Sequence, residues 1–141
     1  MTTTQLTNQT IDASDEAARR PLWKHGIIAA VVAAATTTAL AAAASAAGVS
    51  FADSTGGSIP VSGFTVLTVV FSLVGVGLAA VLARRARRPR STFVRAAGVL
   101  VVLSFVPDLT FGFDAASAAT LIALHLVAAA IMVPTLARRL A

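Results

Sequence analysis

Long stretches of this chain carry no charge, and the short stretches between them carry almost all of it. Gly26–Gly48 runs 23 residues without a charged side chain, Phe64–Ala83 runs 20, and Ala115–Leu136 runs 22. At about 1.5 Å of rise per residue, each makes a helix of roughly 30 Å or more, enough to cross the hydrocarbon core of a bilayer. A further apolar run, Phe93–Val106, is shorter and contains Arg95. Arg95 lies within a turn of the start of that run, so its long side chain can reach the head groups. Pro89 suits the first turn of a helix there. From Arg90 to Val106 there are 17 residues, a helix of about 25 Å and at the low end for a span. Pro107 is expected to end it.

Composition agrees with this pattern. Of 141 residues, 57% are hydrophobic and 12% charged, and the mean hydropathy is +0.84. A soluble domain of this size needs far more charge to cover its surface. The expectation is an all-α integral membrane four-helix bundle over residues 21–141, with spans at about 26–48, 64–83, 90–106 and 115–136. Residues 1–20 are expected to form a disordered tail, being polar, Thr-rich and without an apolar face as far as residue 18.

The charges orient the bundle. All 11 basic residues fall before the first span (Arg19, Arg20, Lys24), between the second and third (Arg84, Arg85, Arg87, Arg88, Arg90, Arg95), or after the fourth (Arg138, Arg139). The other two connections hold only Asp53, Asp108 and Asp114. The positive-inside bias therefore expects four spans with both termini cytoplasmic in a bacterial inner membrane. Three spans would export one of the basic groups. The same bias accounts for a pI near 11.6, so no nucleic-acid partner is expected. The expected partners are the bilayer itself, including anionic lipids at the Arg84–Arg95 loop, and a second copy or another membrane protein.

Near the amino end, "ARRPLWKH" loosely resembles a twin-arginine export signal, and "ASAA" at 44–47 has the small residues of a cleavage site. The 23-residue run is long for a signal core, and more membrane follows it. The simpler reading makes Arg19, Arg20 and Lys24 the inner flank of a retained span, with Trp23 at the interface. There is no cysteine, which excludes disulfides and thiolate metal sites. The outer connections are thus expected to be held only by their short length and their span ends.

Inside the spans, Thr65, Thr68, Ser72, Gly75 and Ala79 recur at helical spacing and place small or polar residues on one face of the second helix. Gly26, Ala30 and Ala34 form a weaker row on the first. Ser62 and Asp114 are expected N-caps of the second and fourth helices, and Pro134 is expected to kink the last turns of the fourth. None of the aspartates is expected to face a partner or to lie inside a span. His125 lies about 15 Å from the start of its helix, near midplane. Thr36, Thr37 and Thr38 point about 100° apart, so at least one faces inward at that depth. The expected candidate site is a buried polar layer in which His125 bonds to one of these threonines or to Ser72. His25, beside Lys24, reads as a plain flanking residue.

There is no HExxH motif and no carboxylate pair, so neither an enzyme, a cofactor nor a metal is expected. Small four-helix drug exporters carry a glutamate in their first span, which this chain lacks. The short outer turns, the loop "ARRARRPR" and the closing span "ALHLVAAAIMVPTLARR" resemble an uncharacterised family of small four-span bacterial membrane proteins over about residues 22–139. That resemblance implies a four-helix membrane domain and transfers no catalytic residue. The leading expectation is a non-enzymatic membrane protein acting through helix–helix contacts. The alternative is a small transporter or channel subunit with a polar path around His125.

Overall fold

A computed structural model describes residues 22–140, and the expected tail over residues 1–20 lies outside the described residues. The chain forms four helices: α1 (Leu22–Ala46), α2 (Val61–Arg85), α3 (Pro89–Thr110) and α4 (Ala115–Ala137). All four are long and apolar enough to cross a membrane. The fold is all-α. The third helix corrects the sequence reading. It continues through Pro107 to Thr110, giving 22 residues and a length of about 33 Å, a full span. Proline at this point removes only one bond near the helix end, and the last turn is rebuilt beyond it. Phe111 N–H donates to Pro107 O at 3.0 Å, and Thr110 Oγ1 donates to Val106 O at 2.8 Å.

Helix α1 packs on α2 and α4, and α3 packs on α4 and α2, while α1 and α3 do not meet. Two apolar clusters fill the bundle. At the end bearing the arginines (the basic end), Ala29, Ala30, Ala33, Val76, Ala79, Phe93, Met132 and Leu136 pack together. At the opposite end, Ala41, Phe51, Phe64, Leu121 and Leu124 form the second. Thr37 and Thr38 of α1 meet Thr68 and Thr65 of α2 across the interface between these two helices.

Close approach of α1 to α2 depends on Gly26. A Cβ built there would lie 2.5 Å from a methyl of Val76, itself buried. The row Gly26, Ala30, Ala34 is therefore a true packing face. Gly26→Val is expected to cost about 1–3 kcal/mol through overpacking, read as a lower midpoint in thermal unfolding in detergent. Gly98, with nothing near its Cβ position, should tolerate the same change.

The longer connection at the far end is a folded plug, not a plain tether. Ala52 and Ser58 form an antiparallel bridge, and Ile59 N–H donates to Phe51 O at 3.1 Å. Phe51 turns inward, 2% exposed, and its ring meets Phe64 edge-on at 4.9 Å. Ser117 Oγ accepts from Phe51 N–H at 3.1 Å, and Asp114 accepts from the Ser117 and Ser50 hydroxyls at 2.7 and 3.2 Å. Side-chain hydrogen bonds thus hold this connection, and length alone does not. The second connection locks against it: Gly112 has a φ of +75°, and a Cβ there would strike Ser54 at 2.6 Å.

Asp114 caps α4 as expected, accepting from Ala116 and Ser117 N–H at 2.9 and 3.0 Å. Ser62 does not cap α2. Pro60 holds the N-cap position without a side-chain bond, because its fixed φ suits the turn into the helix. Hydrogen bonds hold two carboxyls below the usual range. For Asp114 the Ser117 N–H contributes most and the Ser117 hydroxyl next. For Asp53 the Thr55 hydroxyl contributes most and the Thr55 N–H next. The folded state therefore binds these protons less readily than the unfolded chain. Their stabilisation is complete above the ordinary carboxylate value near ~4 and is lost as pH falls through the lowered folded value. Protection of the amides at the start of α4, taken relative to intrinsic exchange at each pH, should fall at low pH, and Asp114→Asn, which caps without titrating, should flatten that dependence.

Candidate functional site

The structure divides the expected polar layer in two. On α1 and α2 the hydroxyls pair with one another. Thr37 and Thr68 share a hydrogen bond at 3.0 Å, and Thr38 and Thr65 share one at 2.7 Å. Thr37 also donates within its own helix toward Ala33 O. Thr37 and Ser72 are buried, and Thr36 is half-buried. This seam needs nothing more to satisfy it, and His125 takes no part in it.

His125 instead faces α3. Its Nδ1 lies 2.9 Å from Leu121 O and 3.1 Å from Asp108 Oδ2. The expected bond to a threonine of α1 or to Ser72 is not made, and the premise of an imidazole remote from any carboxylate is overturned. Two features bring the pair together. The first is the continuation of α3 through Pro107, which puts Asp108 on the helix one turn beyond Ser104. The second is side-chain direction. Side chains tilt toward the N-terminus of their own helix. Because α3 and α4 are antiparallel neighbours, Asp108 leans back into the bundle while His125 leans toward the far end.

The local chemistry is asymmetric. Nδ1 lies within hydrogen-bond distance of both Leu121 O and Asp108 Oδ2, and one ring N–H there would serve the nearer carbonyl. Asp108 Oδ2 sits beside that N–H and has no hydrogen-bond partner of its own. The two side chains also differ in access: His125 is 39% exposed and Asp108 only 8%. Phe105 covers one side of the imidazole, with ring centroids 6.5 Å apart. The imidazole thus lies between a buried carboxylate and the exposed flank of α3 and α4.

Sequence reasoning missed Asp108 because it treated Pro107 as a stop. The signal that was available is the spacing of Ser104 and Asp108, four residues apart on one helical face. It also read His25 as a plain flank. His25 lines a cleft of about 210 Å³ between α1 and α4, opposite Thr135, and its Nδ1 is buried without a partner. Trp23 is exposed at the basic end as expected, with the Lys24 ammonium 5.7 Å from its ring. Among the described residues, no three His, Asp or Glu side chains gather where they could hold a metal ion.

Residues 17–141 match the sequence model of a family of unknown function, DUF6069. No curated protein and no solved structure matches the chain.

Proposed function

Because the chain belongs to the DUF6069 family, whose function is unknown, we propose a role from the bundle itself: a small, non-enzymatic transporter or channel subunit that takes up and passes protons at Asp108 and His125. The observation that carries this reading is the buried, unpartnered Oδ2 of Asp108, 3.1 Å from the imidazole Nδ1. Ionisable groups inside a span are costly and mark ion or proton pathways by default. A carboxylate and an imidazole 3.1 Å apart are the two kinds of group a proton relay needs. No other charged group from α1 or α2 faces the pair: among the described residues those helices bring only hydroxyls to their mid-span interface.

The helix-contact reading is weakened by the same packing. The small-residue stripe of α2 would support such contacts, and that stripe is used inside the monomer. Thr65 and Thr68 are hydrogen-bonded to α1, and Ser72 and Ala79 are buried. Toward the basic end, Ser104 lies one turn from Asp108 and donates to Val101 O at 2.7 Å within its own helix, and Ala97 beyond it is apolar.

We place the basic end in the cytoplasm of a bacterial inner membrane, on the charge bias of the connections. A cysteine introduced at position 53 should be labelled from outside, and one at position 87 only from inside. The reverse pattern would overturn the orientation. Proton entry into proteoliposomes, followed with an enclosed pH dye, tests the function. A wild-type protein that carries no proton flux under a gradient of either sign would sink the reading.

A further inference from the structure

We propose that the cleft at the start of α3 is a binding site for a phospholipid with an anionic head group. This site is independent of Asp108 and His125 and lies at the opposite end of α3. The cleft measures about 550 Å³ and is lined by Arg88, Arg90 and Arg95 together with Ser91, Val94 and Leu140. Arg88, Ser91 and Arg95 follow at intervals of three and four residues, so they share one face of the helix. The three guanidinium groups are exposed and pair with no acid among the described residues.

The positive-inside bias explains why this connection is basic, but it does not require the charges to converge. Arg84, Arg85 and Arg87 meet that requirement without lining the cleft. Guanidinium groups offer planar forks of donors that match phosphate oxygens. The remaining walls decide between a free anion and a lipid. Arg95 lies six residues into α3, about 9 Å along the axis, beside the apolar Val94 and the buried Leu140. Arg88 and Arg90 at the mouth, with the apolar Val94 and Leu140 between them and Arg95, suit a head group whose first acyl carbons rest on that wall, whereas a free phosphate has no use for the wall. The diffuse attraction expected along Arg84–Arg95 thus narrows to three of its arginines.

Two charge-matched triple variants test this in the full-length protein. One changes Arg88, Arg90 and Arg95 to Gln, and the other changes Arg84, Arg85 and Arg87 to Gln. Each is extracted from bilayers of phosphatidylglycerol and phosphatidylcholine, and retained lipid is counted by native mass spectrometry. Wild-type protein should keep one phosphatidylglycerol in preference to phosphatidylcholine. The first triple should lose it by about a hundredfold, at roughly fivefold per arginine, while the second keeps it. Arg95→Gln alone, at an exposed position, should weaken retention about fivefold and covers the case in which the triple misfolds. Equal loss in both triples, or no preference in the wild type, would overturn the site. Displacement of the lipid by millimolar inorganic phosphate would overturn its assignment to a lipid.

Discussion

Asp108→Asn is expected to abolish proton flux while leaving the bundle folded. The asparagine keeps the shape of the side chain but cannot exchange a proton, and a positioned acid–base group is commonly worth about 10²–10⁴-fold in a proton-transfer rate. His125→Asn should lose flux on the same scale. In stability the two positions should behave differently. Asp108→Asn removes a charge from a site where only 8% of the side chain is exposed, so it should be neutral or mildly stabilising. His125→Leu leaves Asp108 buried without its neighbour and should destabilise. Adding Asp108→Asn to His125→Leu should recover stability, with a coupling of about 0.5–3 kcal/mol in a double-mutant cycle. Flux that persists in Asp108→Asn would remove the relay, and additive stability changes would remove the pairing itself.

Phe51→Ala is the most damaging single change expected in the connections. The ring is 2% exposed, meets Phe64, and closes the second apolar cluster. Removing a buried phenylalanine typically costs about 3–5 kcal/mol. The backbone at this position supplies a further check. Phe51 has a φ of +51°, where side chains with a Cβ are strained and glycine is not. Phe51→Gly should therefore be no worse than Phe51→Ala, and better by up to about 1 kcal/mol despite being smaller. Unfolding midpoints of the two variants in detergent decide the matter. An alanine variant more stable than the glycine variant would mean that the backbone relaxes and only the ring matters.

The existence and type of all four spans were legible along the chain, because a membrane helix must be apolar over its whole length and its flanks must carry the charge. Asp114 as a cap was legible too, since capping is a contact between near neighbours. Pro60 in place of Ser62 and the end of α3 were not, because helix ends are set by local backbone competition as well as by residue type. The inward turn of Phe51 had no signal beyond an aromatic residue in a polar loop.

For the candidate site, sequence alone determined the separate ingredients: a histidine deep in the fourth span, hydroxyls at similar depth in the first two, and a conspicuous set of arginines at one end. Tertiary structure decided the pairings. The hydroxyls of α1 found those of α2 because Gly26 and the alanines after it bring those two backbones together. His125 found Asp108 because α4 turns that face to α3, and because antiparallel helices tilt their side chains toward each other. A pattern along one chain records which face of a helix is polar and roughly how deep it lies. Which neighbouring helix meets that face depends on packing among all four at once, and a helix that runs three or four residues past a proline is enough to change the partner.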